Sequence, residues 1–207
     1  MPAKNKKKPA IVLGKGLTAL NAVQALGRQN VPVYLVGSHK DDIAYHSRYA
    51  TKVDQVNTDD ATEVVTALRS VSEELEQKPV LLCCSDHFLE VISANRDAIQ
   101  DCCELVLPSP EAVSTVLDKS LFGDFCAKHD LPSPKSWKLE SEDSLEDCLG
   151  TVQFPVAVKP AFAHKRKAEN FRHKGRYAAM IRAENADELR QIYAELRAGG
   201  ANLVVQE

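Results

Sequence analysis

The stretch Ala10–Arg28 reads AIVLGKGLTALNAVQALGR. Four apolar residues, Ala10 to Leu13, run into Gly14-Lys15-Gly16, and from Leu17 onward Leu20, Val23, Ala25 and Leu26 recur at helical spacing. That is a strand, a glycine turn and a helix, the unit from which parallel sheets are built. Working outward, Val31 to Val36 (VPVYLV) predicts a second strand ended by Gly37. Thr58 to Gln77 predicts a helix with Val64, Leu68, Val71 and Leu75 on one face and Asp59 as its cap. A third strand is expected over Val80 to Cys84, then a helix from Ser85-Asp86 through about Ile99, then a short strand over Glu104 to Leu107. Strands alternating with helices predict an α/β, Rossmann-like domain with a doubly wound parallel sheet, whose ligands favour the carboxyl ends of the strands.

Beyond Pro108-Ser109-Pro110 the pattern changes. Two short helices are predicted, Pro110 to Leu117 and Asp118 to His129, the second capped by Asp118 and carrying Leu121, Phe122 and Phe125. Leu131-Pro132-Ser133-Pro134 breaks the chain. Strands are expected at Ser136–Leu139, Pro155–Lys159, Tyr177–Arg182 and Asn202–Gln206, with an acidic helix at Asp143–Leu149. A second helix over Ala186–Ala198 carries Leu189, Ile192, Tyr193 and Leu196 on one face. This predicts a small α+β layer. The expected division is a basic tail over 1–8, a Rossmann-like domain over 9–115 and the α+β part over 116–207, with the boundary falling near 110–118.

Composition bounds the function. With 207 residues, 44% hydrophobic and 27% charged, the chain has the balance of a soluble globular protein. Apolar runs such as Val80 to Cys84 are far too short to cross a bilayer, and MPAKNKKK precedes no signal-peptide core, so no membrane association and a cytoplasmic location are expected. Twenty-six Lys and Arg against 29 Asp and Glu, net −3, leave no global footprint for nucleic acid. The six cysteines, at 83, 84, 102, 103, 126 and 148, form no C-x-x-C and no regular spacing with histidine. Adjacent residues of a strand point to opposite faces, so a zinc site is a poor reading and small buried hydrophobes in a reducing cytosol the better one.

Several positions carry candidate chemistry. Gly14-Lys15-Gly16 with Ala19 resembles a dinucleotide fingerprint, but the second strand ends Val36-Gly37-Ser38 and Asp41 and Asp42 arrive late, so a tight turn is the better reading. Ser85 and Asp86 sit where α/β sheets bind ligands; they read as a helix cap, and a ligand contact stays open. Lys119 follows a helix cap, near the positive end of the dipole, and Lys159 closes an apolar strand. Each placement carries a cost that a nearby phosphate would offset, although each residue taken singly also reads as a solvated lysine. The stretch 164–176 is rich in Lys, Arg and His, with Phe162 and Phe171 interleaved. It reads as a solvated loop or as a surface for single-stranded nucleic acid, without the signature of an RNA-binding module.

Taken in order, Asp118-Lys119, Leu131-Pro132-Ser133-Pro134, Phe154-Pro155-Val156-Ala157-Val158-Lys159-Pro160 and Leu203-Val204-Val205-Gln206-Glu207 resemble the first half of an ATP-grasp fold. The part before them is similar to the family's pre-ATP-grasp domain. Ser47-Arg48-Tyr49, the strand ending in Ser85-Asp86 and the Lys119 helix look most like the carboxylate–amine ligases that include D-aspartate ligases.

The resemblance implies that Lys119 and Lys159 contact the phosphates of ATP and that Glu207 opens the hinge beside the adenine. Gly16, Ser85 and Asp86 would face the substrates. The loop after Lys159 corresponds to a mobile phosphate cover that is often glycine-rich, and here Gly175 is its only glycine. The family's catalytic groups and Mg²⁺ carboxylates lie in a second subdomain, so the resemblance implies that the chain stops at the hinge, a truncated or partial product without ligation activity of its own. The complete enzyme would use MgATP to form an acyl phosphate from a small carboxylate and let an amine displace the phosphate. A homodimer is compatible with this reading. The competing expectation is a non-catalytic nucleotide- or nucleic-acid-binding module that uses the basic loop 164–176.

Overall fold

The computed structural model of the chain describes residues 7–53, 56–162 and 171–207. The chain divides into two compact units, Met1–Pro110 and Glu111–Glu207. No helix among the described residues is long and apolar enough to cross a membrane.

The first unit runs β1 (Ala10–Leu13), α1 (Gly16–Arg28), β2 (Val33–Val36), a 3₁₀ turn (Ile43–His46), β3 (Ala50–Val53), α2 (Ala61–Glu73), β4 (Val80–Cys83), α3 (Asp86–Ala94), α4 (Arg96–Gln100) and β5 (Glu104–Leu105). The strands pair in parallel in the order β3-β2-β1-β4-β5. All four residues of β1 are buried, as the central strand of a sheet covered on both faces requires. Alternation along it feeds two apolar layers. Ile11 and Leu13 pack with Val64, Leu68 and Val71 of α2 and with Phe88 and Ile92 of α3; Val12 packs with Ala19 and Val23 of α1 and with Val33 and Leu35. Cys83 joins the first layer and Cys84 the second, the opposite-face placement expected of neighbours in a strand.

Three details differ from the sequence-based expectation. β3, Ala-Thr-Lys-Val, was not anticipated, because an edge strand paired only to β2 needs little apolar pattern. α2 begins later than expected, and its cap is Asp60, which accepts from the Thr62 and Glu63 N–H groups. The helix expected through Ile99 breaks at Asn95, whose side chain donates to the Val91 carbonyl at 2.9 Å and competes with the backbone ladder.

The second unit is entered through α5 (Pro110–Leu117) and continues with α6 (Lys119–Lys128), β6 (Ser136–Leu139), α7 (Glu142–Leu149), β7 (Val156–Pro160), β8 (Arg172–His173), β9 (Arg176–Tyr177), β10 (Ile181–Ala183), α8 (Ala186–Ala198) and β11 (Leu203–Gln206). Its main sheet, β10-β7-β11-β6, is antiparallel throughout. One face carries Leu139, Val156, Val158, Leu203 and Val205, buried with Leu145 of α7 and Leu189, Ile192 and Leu196 of α8. Register therefore sends Ser136, Lys138, Ala157, Lys159, Val204 and Gln206 to the other face.

The strand expected over Tyr177–Arg182 is replaced by β10 and the small hairpin β8–β9. Lys174 and Gly175, at φ of 50° and 77°, form the left-handed two-residue turn that matches hairpin twist. In α6 the buried positions are Ser120 and Cys126, while Gly123 lies against Ser136. Leu121, Phe122 and Phe125 stay about half-exposed, because small residues, not large ones, form the close side of this helix.

Candidate functional site

In the first unit the strand order reverses between β1 and β4, the position outside which doubly wound sheets form a ligand crevice. Gly14-Lys15-Gly16 follows β1 there and Ser85-Asp86 follows β4. Gly14 is required by close approach, since an added Cβ would lie 2.6 Å from the Cys84 Cβ. Gly16, at φ +70°, opens α1 and has open space where a side chain would stand. Ser85 caps α3 by accepting from the Phe88 N–H at 3.4 Å, and Asp86 is exposed on the first turn of that helix.

Asp42 stands 26 positions beyond Gly16, late for the acidic residue of a dinucleotide fingerprint. The 3₁₀ turn brings its carboxylate onto the start of α1, where it accepts from the Gly16 N–H at 3.0 and 2.9 Å, the Ala44 N–H at 2.8 Å and the Ser38 hydroxyl at 3.0 Å. A helix N-terminus that a dinucleotide pyrophosphate would use thus already holds an anion from the chain itself. Partial burial opposes the charge, but the Ala44, Gly16 and Ser38 donors and the nearby Lys15 outweigh it and hold the carboxyl below its ordinary range. A depressed folded-state pKa stabilises above the unfolded value, about 3.9, and that stability is lost as pH falls through the lower folded value. Asp42→Asn is expected to cost roughly 2 kcal/mol at neutral pH and to flatten the acid dependence below about pH 4. Circular-dichroism melts of both proteins across that window measure it, and parallel pH profiles would contradict it.

In the second unit the face of the sheet opposite its core carries a polar strip across three strands. Lys159 of β7 donates to the Gln206 side-chain oxygen at 2.6 Å, and the Gln206 amide nitrogen donates to Ser136 Oγ of β6 at 2.9 Å. Lys119 opens α6, which Asp118 caps by accepting from the Ser120 N–H at 2.7 Å. The Lys119 N–H donates to Ala161 O at 3.2 Å, and its ammonium donates to Pro160 O at 2.9 Å and Ala161 O at 3.3 Å. The Lys119 ammonium is thus anchored at the carboxyl end of β7, whereas that of Lys159 is held by Gln206, whose place in β11 is opposite Ala157. Glu207 is held elsewhere: its carboxylate accepts from the Gln153 N–H at 2.9 Å and stands 3.6 Å from the Lys135 ammonium. Gln206, which sequence reasoning passed over, makes the contact to Lys159; only the register of β7 against β11 reveals it.

Beside this strip lies a cleft of about 390 Å³, lined by Ser120, Asp124, Ser136, Trp137, Lys138 and Val204 among others. Of the basic stretch, residues 163–170, with His164, Lys165, Arg166 and Lys167, fall outside the described residues. Phe171 is fully buried in the core beneath the sheet, so it offers no ring for a base to stack on. The Arg172 guanidinium instead lies 4.2 Å from the Tyr177 ring centroid, and His173 contacts Glu195 at 3.0 Å. Among the described residues no group of three or more His, Cys, Asp and Glu could hold a metal ion.

No protein-family model matches the sequence. Over 156 residues it is 26% identical to the D-aspartate ligase of Enterococcus faecium, a match that covers 72% of this chain and 36% of that enzyme. The L-amino acid ligase of Bacillus licheniformis superposes with a TM-score of 0.66 at 12% identity, over 98% of this chain and 44% of that one. The N5-carboxyaminoimidazole synthetase of Staphylococcus aureus complexed with ADP gives 0.66 at 12% identity, over 98% and 48%. The chain shares the fold of part of each of these solved enzymes. It spans about a third of the curated ligase and less than half of the solved structures.

Proposed function

We propose that this chain is the nucleotide-holding part of an ATP-dependent ligase that joins a carboxylate to an amine. The observation that carries the reading is that β7 has two lysine ammonium groups along it, Lys119 on the Pro160 carbonyl and Lys159 on Gln206, in a sheet whose other face is buried. Two ammonium groups there are suited to a triphosphate, and the neighbouring polar strip offers donors and acceptors for the rest of the nucleotide. The ADP named with the Staphylococcus aureus relative supports the same ligand. ATP would supply the phosphoryl group that turns a carboxylate into an acyl phosphate open to attack by an amine.

In this reading residues 9–115 form the pre-ATP-grasp domain and 116–207 the first ATP-grasp subdomain. This chain's residues bind and orient: Lys119 and Lys159 take the phosphates, Glu207 lies at the hinge, and Gly16, Ser85 and Asp86 face the small substrates. In this reading no Mg²⁺ carboxylate is assigned to these residues, and the 207 residues alone are not expected to ligate. Because Asp42 already accepts from the Gly16 N–H, the start of α1 is the poorer place for the nucleotide phosphates.

Calorimetric titration of MgATP into the chain tests the assignment. Lys119→Ala and Lys159→Ala should each weaken binding about tenfold or more, as loss of one charged hydrogen bond predicts. Affinity unchanged in both variants would overturn the phosphate assignment. Were the basic stretch the binding surface instead, charge reversal at Lys165, Arg166 and Lys167 would have the larger effect and would lower the salt dependence.

A further inference from the structure

The chain contains two pairs of adjacent cysteines, and the structure treats them differently. Cys83 and Cys84 are divided between the two core layers of the first sheet, one on each side of it. Cys102 and Cys103 lie in the turn after α4, where the N–H groups of both donate to the Ile99 carbonyl, at 3.1 and 2.7 Å. That winding puts their sulphurs on one side, 3.9 Å apart. Cys102 is half-buried and lines an open crevice with Arg69, Ser72, Glu73, Lys78 and Asp101, whereas Cys103 is 1% exposed and its sulphur lies 3.5 Å from Ser72 Oγ.

The geometry points to Cys102–Cys103 as a redox modification site, a vicinal dithiol that a peroxide oxidises to a disulfide. The proposal is independent of the ligase reading. Access assigns the roles. Cys102 faces the crevice and reacts first: its thiolate attacks one peroxide oxygen, the O–O bond breaks, and a sulfenic acid forms with release of one water. Cys103 then attacks the Cys102 sulphur, the S–O bond breaks, and hydroxide leaves as a second water with the proton from Cys103. In total, two thiols and one hydrogen peroxide give one disulfide and two waters. Burial pushes the Cys103 thiol up to about 12, so it is inert toward solutes, and its role as the resolving group rests on the 3.9 Å contact with the Cys102 sulphur. Adjacent Cα atoms are about 3.8 Å apart, closer than the usual disulfide range, so the bond is strained and easily reduced, as a reversible site requires.

The test is oxidation of the native 207-residue chain with hydrogen peroxide, followed by alkylation of remaining thiols, digestion and mass spectrometry. The peptide carrying Cys102 and Cys103 should lose two hydrogens, escape alkylation, and recover both thiols on treatment with dithiothreitol. Cys103→Ser should stop at a Cys102 sulfenic acid that dimedone traps, and Cys102→Ser should leave Cys103 a thiol. The proposal is overturned if the native pair is recovered as two alkylated thiols, if Cys102 passes to a sulfonic acid with Cys103 intact, or if the product is a disulfide between two chains. Equal oxidation of Cys83–Cys84 would overturn it as well, since the turn would then select nothing.

Discussion

Phe171→Ala is expected to destabilise the second unit by about 3–5 kcal/mol, the cost of deleting a fully buried phenyl ring. The side chain has no exposure and belongs to the cluster formed by Val156 and Val158 of β7, Leu189 and Ile192 of α8 and Leu203 of β11. It stands immediately before β8, so the burial of its ring holds the start of that strand on the core. Trp137, the only tryptophan, lies in β6 and packs against the same cluster, so its fluorescence reports on this unit alone. In a unit of this size the unfolding midpoint should fall by at least about 12 °C. A shift of only about a degree would mean that residue 171 is not in the core. Phe171→Leu, which keeps most of the volume, should recover much of the loss.

Gly14→Ala should destabilise the first unit by about 1–3 kcal/mol through overpacking. The obstacle is the Cβ of Cys84, 2.6 Å from the added methyl, and no change of rotamer moves a Cβ. The two backbones are held, since the Gly14 N–H donates to Val36 O at 2.9 Å and the Cys84 N–H to Leu13 O at 3.0 Å. The ends of β1 and β4 would have to part, which also widens the crevice that carries Gly16 and Ser85. Far-UV circular dichroism in urea measures the loss, and Cys84→Gly in the same chain should return part of it. If the double variant is no more stable than Gly14→Ala alone, the contact is not the cause.

Where one face of an element is buried by its own fold, local pattern foretold the outcome. The spacing of Val64, Leu68 and Val71 in α2, and of Leu189, Ile192, Tyr193 and Leu196 in α8, gave both helices their cores, because helical periodicity and burial coincide there. The same logic misled at α6, whose large apolar residues are half-exposed while Ser120 and Cys126 are buried. It also misled at Phe171, grouped with a basic loop by its neighbours in sequence and placed in the core by the return of the chain. Asp42 and Gln206 left no local signal, because each acts on a residue far away along the chain: Gly16, 26 positions earlier, and Lys159, 47 positions earlier.

By itself the sequence determined the parallel α/β layer that precedes the α+β part, the caps at Ser85 and Asp118, and the candidate lysines Lys119 and Lys159. These rest on alternation, helical spacing and capping chemistry, which act over a few residues. Only the tertiary structure decided that the Lys119 ammonium lies at the carboxyl end of β7, that Gln206 rather than Glu207 reaches Lys159, that Asp42 fills the start of α1, and that one cysteine pair brings its sulphurs together while the other is split by a sheet. Each of those facts is a matter of strand register or chain return, and contacts between residues distant in sequence are fixed by the packing of whole elements, not by the residues' own neighbours.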